Sequence, residues 1–306
     1  MAATDVNDFS LREQGGWRRA KNRLATGGMW FAFLCMLVPL GFVLVTLVVK
    51  GAPQISWRFL TSSKIPPPDI PPIIAKLLGN NGGIGAAIVG TLEITAFASL
   101  IAIPLGILGA VYISEYGGNR PLAKTISFLA DVMTGVPSIV MGLFIFTIWV
   151  IPNGLNGNTG LAGAFALACL MLPVVIRSSY EMLRLVPDSL RQGSYALGAT
   201  KARVTLSVVL PSAAGGIVSG ALLAIARAAG ETAPLLFAIG FAESTNANIF
   251  SGNDIALSTL IFKYVLQPYP SAVNLGWGAA LTLVVIAFIM MIAARLVTAR
   301  FNRYSR

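Results

Sequence analysis

The sequence predicts an all-α membrane protein that crosses the bilayer six times. Three observations carry that prediction. Hydrophobic residues make up 56% of the 306 residues and charged residues only 11%, where a globular domain holds about 25% charged residues. Mean hydropathy is +0.76, which means more apolar surface than a soluble fold could wrap in polar residues. Uncharged runs that can span about 30 Å of hydrocarbon, roughly 20 helical residues each, recur along the chain.

The first span is Met29–Val49, with 21 uncharged residues. It is longer than the roughly 7–15 apolar residues of a cleavable signal, so it reads as a retained helix. The second is Ile94–Ser114, extended upstream toward Ile84. Val132–Ile176 holds 45 uncharged residues, too many for one helix. The Asn- and Gly-rich stretch Asn153-Gly154-Leu155-Asn156-Gly157-Asn158 marks a turn that splits it. That gives a third span near 126–150 and a fourth near 160–178. Val204–Ala226 is the fifth and Trp277–Ala294 the sixth. The run Thr232–Ala242 is too short to cross alone; it can prolong the fifth helix, break it, or re-enter. The expected organisation is a tail over 1–28, a six-span domain over 29–300 and a second tail over 301–306.

Charge placement orients these spans. The net charge is +10, and the charges cluster outside the apolar runs. With the N-terminus in the cytoplasm, 16 of the 22 basic residues fall in cytoplasmic segments and 5 in outer ones. That excess predicts six spans with both termini inside. The cluster Arg18-Arg19-Lys21-Arg23 is an orientation signal and favours anionic lipid by roughly 1 kcal/mol per basic residue. The first outer loop carries Pro66-Pro67-Pro68 and Pro71-Pro72, a stiff extended strut. Glu93 and Asp131 sit near span ends and read as interfacial or paired.

Little here supports catalysis. The chain has no histidine and only two cysteines, Cys35 and Cys169, each inside an apolar run. That excludes the commonest general base and any disulfide or zinc framework. Gly118–Thr125 nearly matches a phosphate-binding loop. However, Ala123 replaces its second Gly, Pro121 stiffens it, and no strand precedes it.

Two segments carry chemistry. The first is Val186–Thr200, between the fourth and fifth spans. Pro187 and Asp188 open a short helix with an acid at its start. Gly198 ends it through a left-handed cap. From Gln192 to Pro211 this segment resembles the signature loop of ABC importer permeases: Glu-Ala-Ala, three residues, Gly, nine residues, Ile-x-Leu-Pro. Here Gly198 is followed by nine residues and then Val208-Val209-Leu210-Pro211. The triplet reads Gln192-Gly193-Ser194, a departure at all three positions that removes the carboxylate available to an ATPase. The resemblance implies the type I importer-permease fold with a cytoplasmic coupling helix, in a loop over 179–205, that docks in an ATPase cleft. The residues it implicates are Pro187, Asp188, Leu190, Arg191, Gln192, Gly193, Ser194, Ala196, Leu197, Gly198 and Ala199.

The second segment is Arg227-Ala228-Ala229-Gly230-Glu231-Thr232-Ala233-Pro234-Leu235-Leu236. An arginine at membrane depth costs about 2.5–3.5 kcal/mol and faces a partner or an aqueous path. Its planar donors suit the oxygens of phosphate or sulfate. A structural ion pair with Glu231 is the other reading of the same residues. The stretch looks like the corresponding one in phosphate-specific ABC permeases of the PstA type. That resemblance runs over roughly 29–300 and implies that Arg227, Glu231 and Thr232 line the substrate path.

The resemblance further implies a plasma (inner) membrane location in a prokaryote and four kinds of partner. These are the lipid bilayer, a second permease of the PstC type, two copies of a PstB-type ATPase, and an external PstS-type phosphate-binding protein. ATP and Mg belong to the ATPase; this chain binds no cofactor and no metal, and nucleic acid is not a partner. Arginine chemistry alone does not separate phosphate from sulfate or molybdate. Composition alone also fits a channel or secondary transporter that works without ATP.

Overall fold

The computed structural model describes residues 16–66 and 82–304. Its elements are helices, and among the described residues the one extended pairing is an isolated antiparallel bridge between Lys64 and Ser244. Among the described residues six helices are long and apolar enough to cross a membrane: Ala20–Gln54, Gly85–Gly117, Ser138–Asn156, Gly160–Arg184, Lys201–Ala229 and Pro270–Ala293. Apart from Pro66, the expected proline strut lies outside the described residues, as does the tail from residue 1 to 15.

The chain divides into two units, Met1–Val49 and Lys50–Arg306. The described part of the first belongs to helix α1 (Gly16–Gly51), which continues through Pro39. It starts well before Met29, so the second half of the expected tail is helical. The second unit holds α2 (Gly85–Val111), α3 (Pro121–Gly135), α4 (Ser138–Ile145), α5 (Gly160–Arg184) and α6 (Asp188–Ala196). It continues with α7 (Leu210–Ala229), α8 (Leu257–Val265) and α9 (Pro270–Tyr304). Helix α2 runs on through a π turn at Tyr112–Gly117 and α4 through one at Phe146–Val150, while a third, Thr205–Val209, leads into α7.

Helix α5 is the spine of the second unit. Lipid tails are as apolar as leucine, so helices in a bilayer associate through close packing of small residues. The core follows that rule. Ala98 and Ala102 of α2, Ala164 and Ala168 of α5, and Ala224 and Ala228 of α7 are all buried around Ile94, Leu167, Met171 and Val175. A second cluster (Ala110, Leu183, Val186, Val204, Val209, Ala213 and Ile217) closes the end of the unit that carries α6.

The third span differs from the sequence expectation of 126–150. The structure divides that stretch into α3 and a span starting at Ser138, with Val136 extended (φ −73°, ψ 130°) between them. The cause is Pro137, whose ring disfavours the helical conformation of the residue before it. Asp131 therefore lies on α3, where it is paired with Arg177 of α5. The loop around α6 is also tighter than 179–205, because α5 runs to Arg184 and the next helical turn starts at Lys201.

Of the three fates open to Thr232–Ala242, the structure shows a break. Helix α7 stops at Ala229, Leu235–Ala238 makes one short turn, and the chain winds on to α8. Non-helical backbone is tolerated at membrane depth only where protein covers it. Glycines make the cover possible. A Cβ on Gly142 would lie 2.6 Å from Pro234 Cα, and one on Gly163 would lie 2.5 Å from Ile239 Cγ2. A Cβ on Gly90 would run into the Ile255 carbonyl.

Gly142→Ala is therefore expected to lower the melting temperature of the detergent-purified protein, by the equivalent of about 1–3 kcal/mol of overpacking. Gly109→Ala is the matched control. Its Cβ would meet Ile176 Cγ1 at an ordinary 3.5 Å, and the helix gains up to about 1 kcal/mol in propensity. Thermal unfolding of both variants checks this, and equal melting temperatures would refute it.

Candidate functional site

Helix α6 shows how local sequence fixes the loop. Pro187 is extended before it, and Asp188 stands in its first turn, favourable at the positive end of the helix dipole. Gly198 takes φ +77°. Its N–H donates to Tyr195 O at 2.9 Å, and the Ala199 N–H donates to Ser194 O at 3.2 Å. These two bonds are a Schellman cap, which a residue with a Cβ would strain. Thr200 Oγ1 then accepts from the Arg203 N–H at 3.4 Å and starts the next helical turn.

The predicted coupling residues separate into two groups. Pro187, Asp188, Leu190, Gln192, Gly193, Ala196, Leu197 and Gly198 are exposed, while Ser194 and Ala199 are half-buried. Leu185, Leu190, Tyr195 and Leu197 put apolar side chains on the surface around the helix, Leu197 being 90% exposed. Arg191 turns the other way. Its guanidinium donates to Glu115 Oε1 and Leu183 O, each at 2.9 Å, to Val186 O at 2.5 Å and to Asp188 Oδ1 at 3.1 Å. The hydrogen bond to Glu115 is the largest of the effects that raise its pKa further above the ordinary arginine value.

Arg227 stands in the last turn of α7, where a cation complements the carbonyl end of the helix. The helix ends two residues before Glu231, so the pair does not share one helical face. Arg227 Nε donates to Glu231 Oε1 at 3.5 Å, the long limit of a hydrogen bond. The Arg227 side chain is 67% exposed and the Glu231 side chain 19%. Both line a small cleft with Leu170, Met171 and Val174 of α5 and Ala224 and Ala228 of α7. Ser258 Oγ holds the Glu231 carbonyl at 2.8 Å. Thr232 is half-buried, its carbonyl accepting from the Leu236 N–H at 3.2 Å. The arrangement is an apolar cleft with one loosely held, accessible guanidinium, which suits brief contact with an anion.

A family profile for "Binding-protein-dependent transport system inner membrane component" matches residues 102–303. The chain belongs to this family of transport permeases. Over 280 residues it is 40% identical to the phosphate transport system permease protein PstA 1 of Mycobacterium tuberculosis (strain ATCC 25618 / H37Rv), covering 92% of this chain and 88% of that one. It is 38% identical over 310 residues to the PstA permease of Yersinia pestis, covering 98% and 99%. These relatives make it a PstA-type permease. Solved structures agree on the fold. The permease aligns with a bacterial alginate ABC transporter at a TM-score of 0.63 and 15% identity, covering 96% and 99%. It aligns with an inward-facing MetNI methionine ABC transporter at 0.57 and 19%, covering 76% and 99%.

Sequence reasoning missed two polar residues of the permease. Glu115 ends the second span, far in sequence from its partner Arg191, and no local pattern announces the pair. Asp254 is 2% exposed between α7 and α8. Its Oδ1 accepts from the Ile255 N–H at 2.7 Å, while Oδ2 is buried without a hydrogen-bond partner against Gly160. Burial pushes this carboxyl up to about 6, against the pull of the Ile255 N–H and with a small push from Glu93.

The sign of the pH effect follows. The folded permease holds the Asp254 proton to a higher pH than the unfolded chain, whose carboxyl titrates near about 3.9. Stability therefore falls as pH rises through that window and stays lower above it. The melting temperature of the wild type is expected to drop more between about pH 4.5 and about pH 7 than that of Asp254→Asn. Parallel profiles in a thermal-shift series would refute the assignment.

Proposed function

We propose that this permease forms, with a second permease of the PstC type, the membrane path of an ATP-driven importer of inorganic phosphate. The observation that carries the reading is near full-length similarity to phosphate transport permeases, with the Arg227 side chain exposed at the rim of a small cleft. Two PstB-type ATPase subunits would bind ATP and Mg and hydrolyse ATP; this chain contributes no catalytic group. A PstS-type binding protein would deliver phosphate from outside. Both termini and α6 would face the cytoplasm, in keeping with the excess of basic residues on that side.

The chemistry follows from the two segments. Phosphate enters the outward-open pair of permeases and meets the Arg227 guanidinium, whose forked donors match two of its oxygens. Glu231 competes for the same cation at 3.5 Å, which limits how long the anion stays. A conduction site has to bind well enough to admit its ion and weakly enough to release it. Thr232 lies beside the path at the break that follows α7. The exposed apolar residues Leu190 and Leu197, with the polar face of α6, would fill the ATPase cleft, so that nucleotide-driven closure of the ATPases moves the spans.

Uptake of labelled phosphate into proteoliposomes holding both permeases and the ATPase, with binding protein outside, tests this reading. Uptake is expected to require ATP and to resist competition by sulfate. Arg227→Gln should lower it roughly ten- to hundredfold, the loss of a charge-assisted hydrogen bond of about 1.5–3 kcal/mol. Arg227→Lys should fall between the two, since it keeps the charge and loses the fork. Uptake indifferent to ATP, or blocked by sulfate, would sink the proposal.

A further inference from the structure

Helix α6 is nine residues long and buries none of them. A helix that short is marginal by itself in water, and apolar burial does not fix this one. Its caps shape it but do not attach it. The attachment that reaches two spans, the second and the fourth, runs through Arg191. Nη2 bonds Glu115 at the end of the second span and the Leu183 carbonyl in the last turn of α5. Nη1 bonds the Val186 carbonyl in the link and Asp188 on α6 itself. The Arg191 side chain is 15% exposed and that of Glu115 only 5%. Ser114 Oγ also donates to Glu115 Oε1, at 3.0 Å, and so holds the carboxylate in place.

We propose that Arg191 is a positioning residue that locks α6 to the ends of the second span and of α5, so that a displacement of α6 moves both spans as one body. The proposal rests on the coupling reading of α6 given above. It assigns Arg191 to the inside of the permease, as a fastener, and leaves the ATPase contact to the exposed residues. The guanidinium addresses four acceptors on three chain segments at once, one more than the three donors of a lysine ammonium could meet. The spans it grips lead to the substrate: α5 carries Leu170, Met171 and Val174 on the wall of the Arg227 cleft.

The test is the amount of phosphate taken up per ATP hydrolysed by the complete reconstituted complex. A purely structural defect lowers the amount of active complex and both rates together, leaving the ratio alone. In Arg191→Met, ATP hydrolysis is expected to continue while the ratio falls about tenfold, within the roughly 5- to 150-fold span of allosteric couplings. Arg191→Lys should recover part of that loss. Glu115→Gln keeps the side chain's volume and one acceptor, and it should lower the ratio in the same direction. The double variant should lose no more than Arg191→Met alone, because the two residues act as one unit. An unchanged ratio, or losses that add in the double variant, would overturn the proposal. If Arg191→Met does not assemble, the ratio in Glu115→Gln decides. A wild-type complex whose uptake ignores ATP would overturn the coupling reading itself, a result distinct from a variant that transports at the wild-type ratio.

Discussion

The permease depends on covering a stretch of irregular backbone with helices that come close enough to touch it. Between Ala229 and Leu257 the chain is mostly non-helical, yet Leu235, Ala238, Ile239, Ile249, Ile255 and Ala256 are buried. Each N–H or C=O buried there without a partner would cost about 1–3 kcal/mol. The neighbouring spans supply partners. Asn158 Nδ2 donates to the Phe237 and Ala238 carbonyls at 3.2 and 3.4 Å. Thr91 Oγ1 accepts from the Leu257 N–H at 2.8 Å. Gly90, Gly142 and Gly163 remove the side chains that would hold these surfaces apart. Because α7 ends at Ala229, Glu231 lies off its face with its carbonyl held by Ser258 Oγ, and it meets Arg227 through one long contact.

One residue type serves two ends of the molecule, and solvent exposure separates the roles. Arg191 has its guanidinium buried and bonded to four acceptors. Breaking a buried pair from one side costs about 3–5 kcal/mol, because the other charge is stranded. That is the behaviour of a fastener. Arg227 is two-thirds exposed and held by one long contact. Exposed pairs of that kind are worth about 1 kcal/mol or less, so on the path proposed above an arriving anion would have little to displace. A tight pair at 227 would trap or exclude the substrate, and a loose one at 191 would let α6 slide on its supports.

Composition made the six crossings legible, because a run of uncharged residues is a statement about solvent and needs no knowledge of packing. The caps of α6 were legible for a similar reason: Pro187, Asp188 and Gly198 act within a few residues of themselves. What was hidden required distant partners or competing local signals. Arg18, Arg19, Lys21 and Arg23 made residues 16–28 read as a tail, although a helix can continue beyond the hydrocarbon with charged residues on it. The break at Val136-Pro137 was visible as a pre-proline position, but an uninterrupted apolar run outweighed it. Arg191 lies in the loop that the signature spacing marks. Which way it points depends on Glu115, and a carboxylate 76 residues upstream leaves no trace in the loop's own pattern.

The π turns fit the same division between rigid and yielding parts. Two of the three described flank the attachment of α6: Tyr112–Gly117 carries Glu115, and Thr205–Val209 leads from the loop into α7. A π turn gives up the regular hydrogen-bond ladder for one wider loop, and such turns recur at functional positions within helices. Here the first turn contains the gripped carboxylate, and the second joins the loop to the long helix α7 with no bond to Arg191. Val209 and Val204 are buried beside Leu183 and Val186, so the wide turns are packed and do not fray. A lever needs a firm grip at one end and a compliant joint behind it. On the coupling proposed for α6, Arg191 would supply the grip, and the wide turns at 112–117 and 205–209 would be where α2 and α7 yield beside α5.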